Sequence, residues 1–122
     1  MILVDTSIWI DHIRKQDERL THLLSQDEVV THDFIIGELA LGHLKPRKQV
    51  LGRLAKLPHV VIAKNAEVLT LIETNELQGS GIGYVDAHLL ASSKLTQGVS
   101  IWTRDRLLLR AVEKIGVGLK ET

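Results

Sequence analysis

The 122-residue chain is long enough for one domain with a real hydrophobic core. With no cysteine, disulfides and thiolate metal sites are excluded, and a cytoplasmic location is expected. A formal net charge of zero excludes a uniformly basic nucleic-acid surface, though not local patches, and no apolar run is long enough for a bilayer or a signal peptide.

The chain opens on Ile2-Leu3-Val4, which reads as a strand buried on both faces and so as part of a parallel sheet. Asp5 follows at the carboxyl end of that strand, where open α/β sheets bind ligands. Its alternative role is to cap the helix that starts near Thr6. Trp9 and Ile13 carry helical spacing, and a short helix follows around Leu20, Leu23 and Leu24. Glu28 to Thr31 reads as a strand and His32 to Leu44 as a helix with Glu38 at its middle. Pro46 opens a basic helix running to about Leu57, with Lys48 and Arg53 on its polar face.

Val60-Val61-Ile62 is expected to be a third strand. Asn65 is a candidate N-cap for a helix over Ala66 to Leu77. The glycine-rich turn 78–83 leads into a helix from Tyr84 to Thr96 with Asp86 in its first turn. Val99 to Trp102 reads as a fourth strand, Arg104 to Ile115 as a helix, and Val117 to Leu119 as a short fifth strand. Alternating strands and helices predict a single α/β domain over residues 1–122. Its sheet would be mostly parallel, with four to five strands flanked by helices.

If the first and fourth strands are parallel, Asp5 and Asp105 emerge at one edge of the sheet. Converging carboxylates repel unless a cation neutralises them. An oxygen-only donor set suits a hard cation, Mg²⁺ or Mn²⁺, and such a site supports phosphate-ester hydrolysis.

Four segments then resemble, in order and spacing, the motifs of PIN-domain ribonucleases. They are Val4-Asp5-Thr6-Ser7, Ile36-Gly37-Glu38-Leu39, Gly83 to Ala91 around Asp86, and Trp102-Thr103-Arg104-Asp105. The match is nearest to the VapC toxins of bacterial toxin–antitoxin pairs. Asp33 is a mild departure, at a place where relatives often carry proline. The resemblance implies a Mg²⁺- or Mn²⁺-dependent endoribonuclease that cuts tRNA or another structured RNA. It implies Asp5, Glu38, Asp86 and Asp105 as the acidic, metal-binding cluster. It also implies a homodimer and a cognate VapB-type antitoxin.

Thr6, Ser7 and Thr103 are expected to hydrogen-bond the carboxylates or a bound water, with helix capping as their alternative. Arg104 and Arg106 flank Asp105 and are candidates for RNA phosphate or for offsetting the acidic cluster. His88, two residues after Asp86, should point away from the site. A receiver domain would need an Asp after the third strand, where Ala63-Lys64-Asn65 stands. A haloacid-dehalogenase-type phosphatase would need a second Asp at Ser7. The surviving rival is a non-catalytic PIN-like binding module.

Overall fold

The structure is a computed structural model that describes residues 1–119. Residues 120–122 of the expected domain lie outside the described residues. The chain runs β1 (Ile2–Val4), α1 (Thr6–Arg14), α2 (Glu18–Ser25), β2 (Val29–Val30), α3 (Asp33–Ala40) and α4 (Arg47–Ala55). It continues through α5 (Asn65–Thr74), α6 (Tyr84–Leu95), β3 (Ser100–Trp102) and α7 (Arg106–Ile115). The strands form one parallel sheet in the order β2-β1-β3, with Leu3 opposite Val30 on one side and Ile101 on the other.

β1 is therefore central, and its apolar run is buried on both faces: Leu3 and Val4 are fully buried. Burying such side chains stabilises the fold by about 1.5–3 kcal/mol each. α7 shows how a helix is recruited to this core. Leu108, Ala111, Val112 and Ile115 fall at helical spacing and are all buried. Gly116 ends the helix in the left-handed region at φ 83°, where its N–H reaches the Val112 and Glu113 carbonyls.

The four- to five-strand expectation is high: three strands form among the described residues. Of the segment expected as Val60–Ile62, only neighbouring His59 bridges Thr31, while Val61 and Ile62 stand 63% and 40% exposed. β2 has no more edge to offer, because His32 already caps α3. At the other edge Gly118 makes a single bridge to Ile101. Each outer segment adds one rung to the sheet rather than a strand.

The helix expected over His32 to Leu44 stops at Ala40. The Arg47 guanidinium accounts for the stop, donating to the Ala40 and Gly42 carbonyls at 2.6 and 3.1 Å. This satisfies carbonyls that the helix end would leave free. α5 begins one residue early. Lys64 is the cap residue, and its N–H donates to Glu67 Oε1 at 2.9 Å. Asn65 instead accepts the Tyr84 hydroxyl across to α6. α7 begins at Arg106, which leaves Arg104 outside the helix with Asp105 as its cap.

His32 is fully buried beneath this arrangement. Its Nδ1 accepts the Phe34 N–H at 3.0 Å, so Nε2 carries the proton and donates to Ser92 Oγ at 3.1 Å. Burial pushes its pKa down to about 4, so the ring is neutral near neutral pH. One imidazole thus caps α3 and ties it to α6.

Candidate active site

β1 delivers Asp5 to the start of α1, where it serves as N-cap while only 5% exposed. A buried carboxylate needs donors. Ser7 Oγ and Thr103 Oγ1 both donate to its Oδ2, at 2.9 and 2.8 Å, and the Ser7 N–H approaches the same oxygen at 3.4 Å. None of these bonds uses Oδ1, which leaves one lone-pair-bearing oxygen for a ligand.

Each hydroxyl is itself fixed by backbone. Arg104 N–H donates to Ser7 Oγ at 3.1 Å, and Asp105 N–H donates to Thr103 Oγ1 at 3.0 Å. The hydroxyls accept from the 103–105 turn and donate to Asp5. Asp105 is exposed, and its Oδ1 caps α7 by accepting from Leu107 and Leu108 N–H at 3.0 Å each. Glu38, on the exposed side of α3, accepts from Thr6 Oγ1 at 3.0 Å, so α1 and α3 meet at this edge.

Asp86 stands half-buried in the first turn of α6. Its pKa is pushed up to about 6, first by burial and next by Asp5, with Asp105 and Glu38 adding repulsion. A hydrogen bond with the Gly83 backbone opposes the rise. The other three acids named from the sequence therefore all act on Asp86, although they come from α3 and the two turns after β1 and β3.

A match to the PIN domain model spans residues 2–114. The chain belongs to the PIN-domain family, and it is of the VapC ribonuclease type. Ribonuclease VapC32 from two strains of Mycobacterium tuberculosis is 48% identical to it over 121 residues, 99% of this chain and 98% of the relative.

The PIN domain places the other candidates less uniformly. Arg104 turns away from the acids: Nη1 meets Asp11 Oδ2 at 2.6 Å and Nη2 meets Asp17 Oδ2 at 2.7 Å. Its guanidinium also lies 5.6 Å from the centre of the Trp102 ring. Arg106 is exposed and makes no ion pair among the described residues. His88 packs edge-on against Phe34 and Tyr84 and is buried. Asp11 and Asp17 had drawn no functional attention in the sequence. Asp17 was legible only as a cap for α2, since nothing local links it to an arginine 87 residues on.

Among the described residues, no three His, Cys, Asp or Glu side chains form a ready-made metal cage. The donors nonetheless suit a hard divalent ion. They are carboxylate oxygens only, Asp5 keeps Oδ1 open, and Asp86 is held against its ionised form by burial and then by its acidic neighbours. Mg²⁺ is bound through a few carboxylates with several waters retained, so it does not demand a closed protein cage.

Proposed function

We propose that the chain is the toxin of a toxin–antitoxin pair, a Mg²⁺- or Mn²⁺-dependent endoribonuclease that cuts tRNA or another structured RNA and so inhibits translation. The observation that carries the reading is the gathering of Asp5, Glu38 and Asp105 about the half-buried Asp86, an arrangement that favours a cation over a bare pocket. Asp5 and Asp86 would be the principal ligands, with Glu38 and Asp105 completing the set directly or through water. When bound, the ion lowers the pKa of a water and offsets charge at the phosphate.

The chain's own residues do the rest. Ser7 and Thr103 hold Asp5 in one rotamer by donating to Oδ2. Thr6 holds Glu38 toward the same edge. Arg106, exposed at the start of α7, supplies positive charge for an RNA phosphate. The reaction is hydrolysis: water attacks phosphorus, the bond to the 3′ oxygen breaks, and that oxygen takes up a proton. The products carry a 5′-phosphate and a 3′-hydroxyl.

A cognate VapB-type antitoxin and a second copy of the chain are the proposed partners, in the cytoplasm. Apolar side chains such as Leu41, 90% exposed, and Val61 leave surface for such contacts. No helix among the described residues is long and apolar enough to cross a membrane. The test is cleavage of RNA by the purified protein with Mn²⁺ and with EDTA, followed by mapping of the new ends. Cleavage in EDTA, or 2′,3′-cyclic phosphate ends, overturns the mechanism. RNA binding without cleavage under any metal supports the non-catalytic module instead.

A further inference from the structure

We propose that Arg104 is a positioning residue for the nuclease reading of this site: clamped by Asp11 and Asp17, it fixes the turn that holds both hydroxyls on Asp5. The clamp is built from three separate parts of the chain. Asp11 lies in α1, Asp17 caps α2, and Arg104 follows β3. Its two terminal nitrogens are each taken by a different carboxylate, at 2.6 and 2.7 Å. A planar guanidinium held at both ends has little rotational freedom left.

Asp17 is itself anchored. Its Oδ1 accepts the Leu20 N–H at 3.0 Å, and its own N–H donates to His12 Nδ1 at 3.0 Å. The anchoring passes from the Arg104 side chain to the Arg104 backbone. That N–H donates to Ser7 Oγ, and the next N–H, of Asp105, donates to Thr103 Oγ1. Both hydroxyl protons then converge on Asp5 Oδ2. If the turn swings out, Asp5 loses the Thr103 hydroxyl and Ser7 Oγ loses the N–H that orients it. The ion pairs are partly solvated, with the Arg104 side chain 42% exposed, so they add little stability. Their contribution is geometric.

The test uses the full chain with Asp17→Asn, Asp11→Asn plus Asp17→Asn, Arg104→Gln and Arg104→Lys. Asparagine keeps an oxygen for the α2 cap, so Asp17→Asn breaks the clamp and spares the helix. Steady-state cleavage of a defined RNA with Mn²⁺ should show kcat falling about 10- to 100-fold in all four variants, the range for residues that orient a metal's ligands. KM should stay within about twofold. Lysine should not rescue, because one ammonium does not reproduce the fork. Amide exchange in EDTA should rise at least about tenfold at Arg104 and Asp105, with the amides of β1 and α6 unchanged.

A phosphate contact predicts otherwise: Arg104→Gln would raise KM, Arg104→Lys would recover it, and releasing the arginine with the double Asn variant would lower KM. That pattern overturns the proposal, as does unchanged kcat in the Asn variants. If the wild type cleaves no RNA, the nuclease reading fails, and exchange alone decides the clamp. Faster exchange at Arg104 and Asp105 then upholds it, and unchanged exchange removes it.

Discussion

Replacing Asp86 by Asn keeps the side chain's shape and removes one charge from the acidic edge. Asp86 is raised from 3.8 to about 6 in the folded protein. The folded state therefore binds this proton more tightly than the unfolded chain. The ionised form costs stability that is absent below about pH 3.8 and fully present above about pH 6. A shift of about two units corresponds to roughly 3 kcal/mol, and partial solvent exposure reduces this to about 1–2 kcal/mol. Against it stands the attraction of a carboxylate for the α6 N-terminus, about 0.3–1 kcal/mol. Asparagine retains an acceptor for the Gly83 backbone. The balance is a gain of about 0.5–1.5 kcal/mol for Asp86→Asn at pH 7.5 in EDTA, or roughly 2–6 °C in Tm. The gain should shrink toward zero as pH falls to about 4. Adding Mn²⁺ should raise the wild-type Tm more than the variant's, since binding to the native state stabilises it. Thermal melts at several pH values, with EDTA and with Mn²⁺, measure all of this. A variant that melts below wild type at pH 7.5, or a gain independent of pH, refutes the repulsion argument.

His32 tilts the pH profile the other way: its pKa is lowered to about 4, so its contribution is full above about pH 6.5 and is lost as pH falls through 4. His32→Asn, which keeps a cap for α3 but not the link to Ser92, should cost about 1–2 kcal/mol at pH 7 and lose less on acidification, checked by urea melts across pH 4–7. Because Asp86 and His32 have opposite slopes, Asp86→Asn should be more acid-sensitive than wild type in the same series. Asp5→Asn should cut RNA cleavage by at least about 100-fold while circular dichroism stays native, more than loss of a merely supporting residue would cost. Arg106→Gln should weaken RNA binding and reduce the slope of log affinity against log salt by up to about 0.9, with Lys48→Gln plus Arg53→Gln doing less, as read by filter binding at several salt concentrations.

Much of this was legible from the chain because it is local. The apolar run into Asp5, the helical spacing of Leu108, Ala111, Val112 and Ile115, and the four acidic motifs are each visible within a short window. What was not legible depends on who stands opposite. Val60-Val61-Ile62 has strand composition, yet β2 ends before it can offer a partner. Leu41 to Leu44 carries helical residues, yet the Arg47 side chain ends α3 earlier. Arg104 reads as a free cation beside Asp105 until Asp11 and Asp17, on other helices, are seen to hold it. The position of Ser7 and Thr103 beside Asp5 and Asp105 in the chain marks their hydroxyls as candidate partners of the carboxylates. That both would meet on one oxygen of Asp5 is a fact of three dimensions only.

The central place of β1 also sets the order in which the molecule is born. The strand made first must wait for the strand made nearly last, since β3 begins at Ser100 and Thr103 lies 98 residues from the carboxylate it supports. Contacts of such sequence separation form late and slowly. A chain still on the ribosome holds Asp5 long before it holds Thr103 or Asp105. During synthesis the growing chain has Asp5 and Ser7 long before Thr103, and the site is completed only once β3 and the turn after it have emerged.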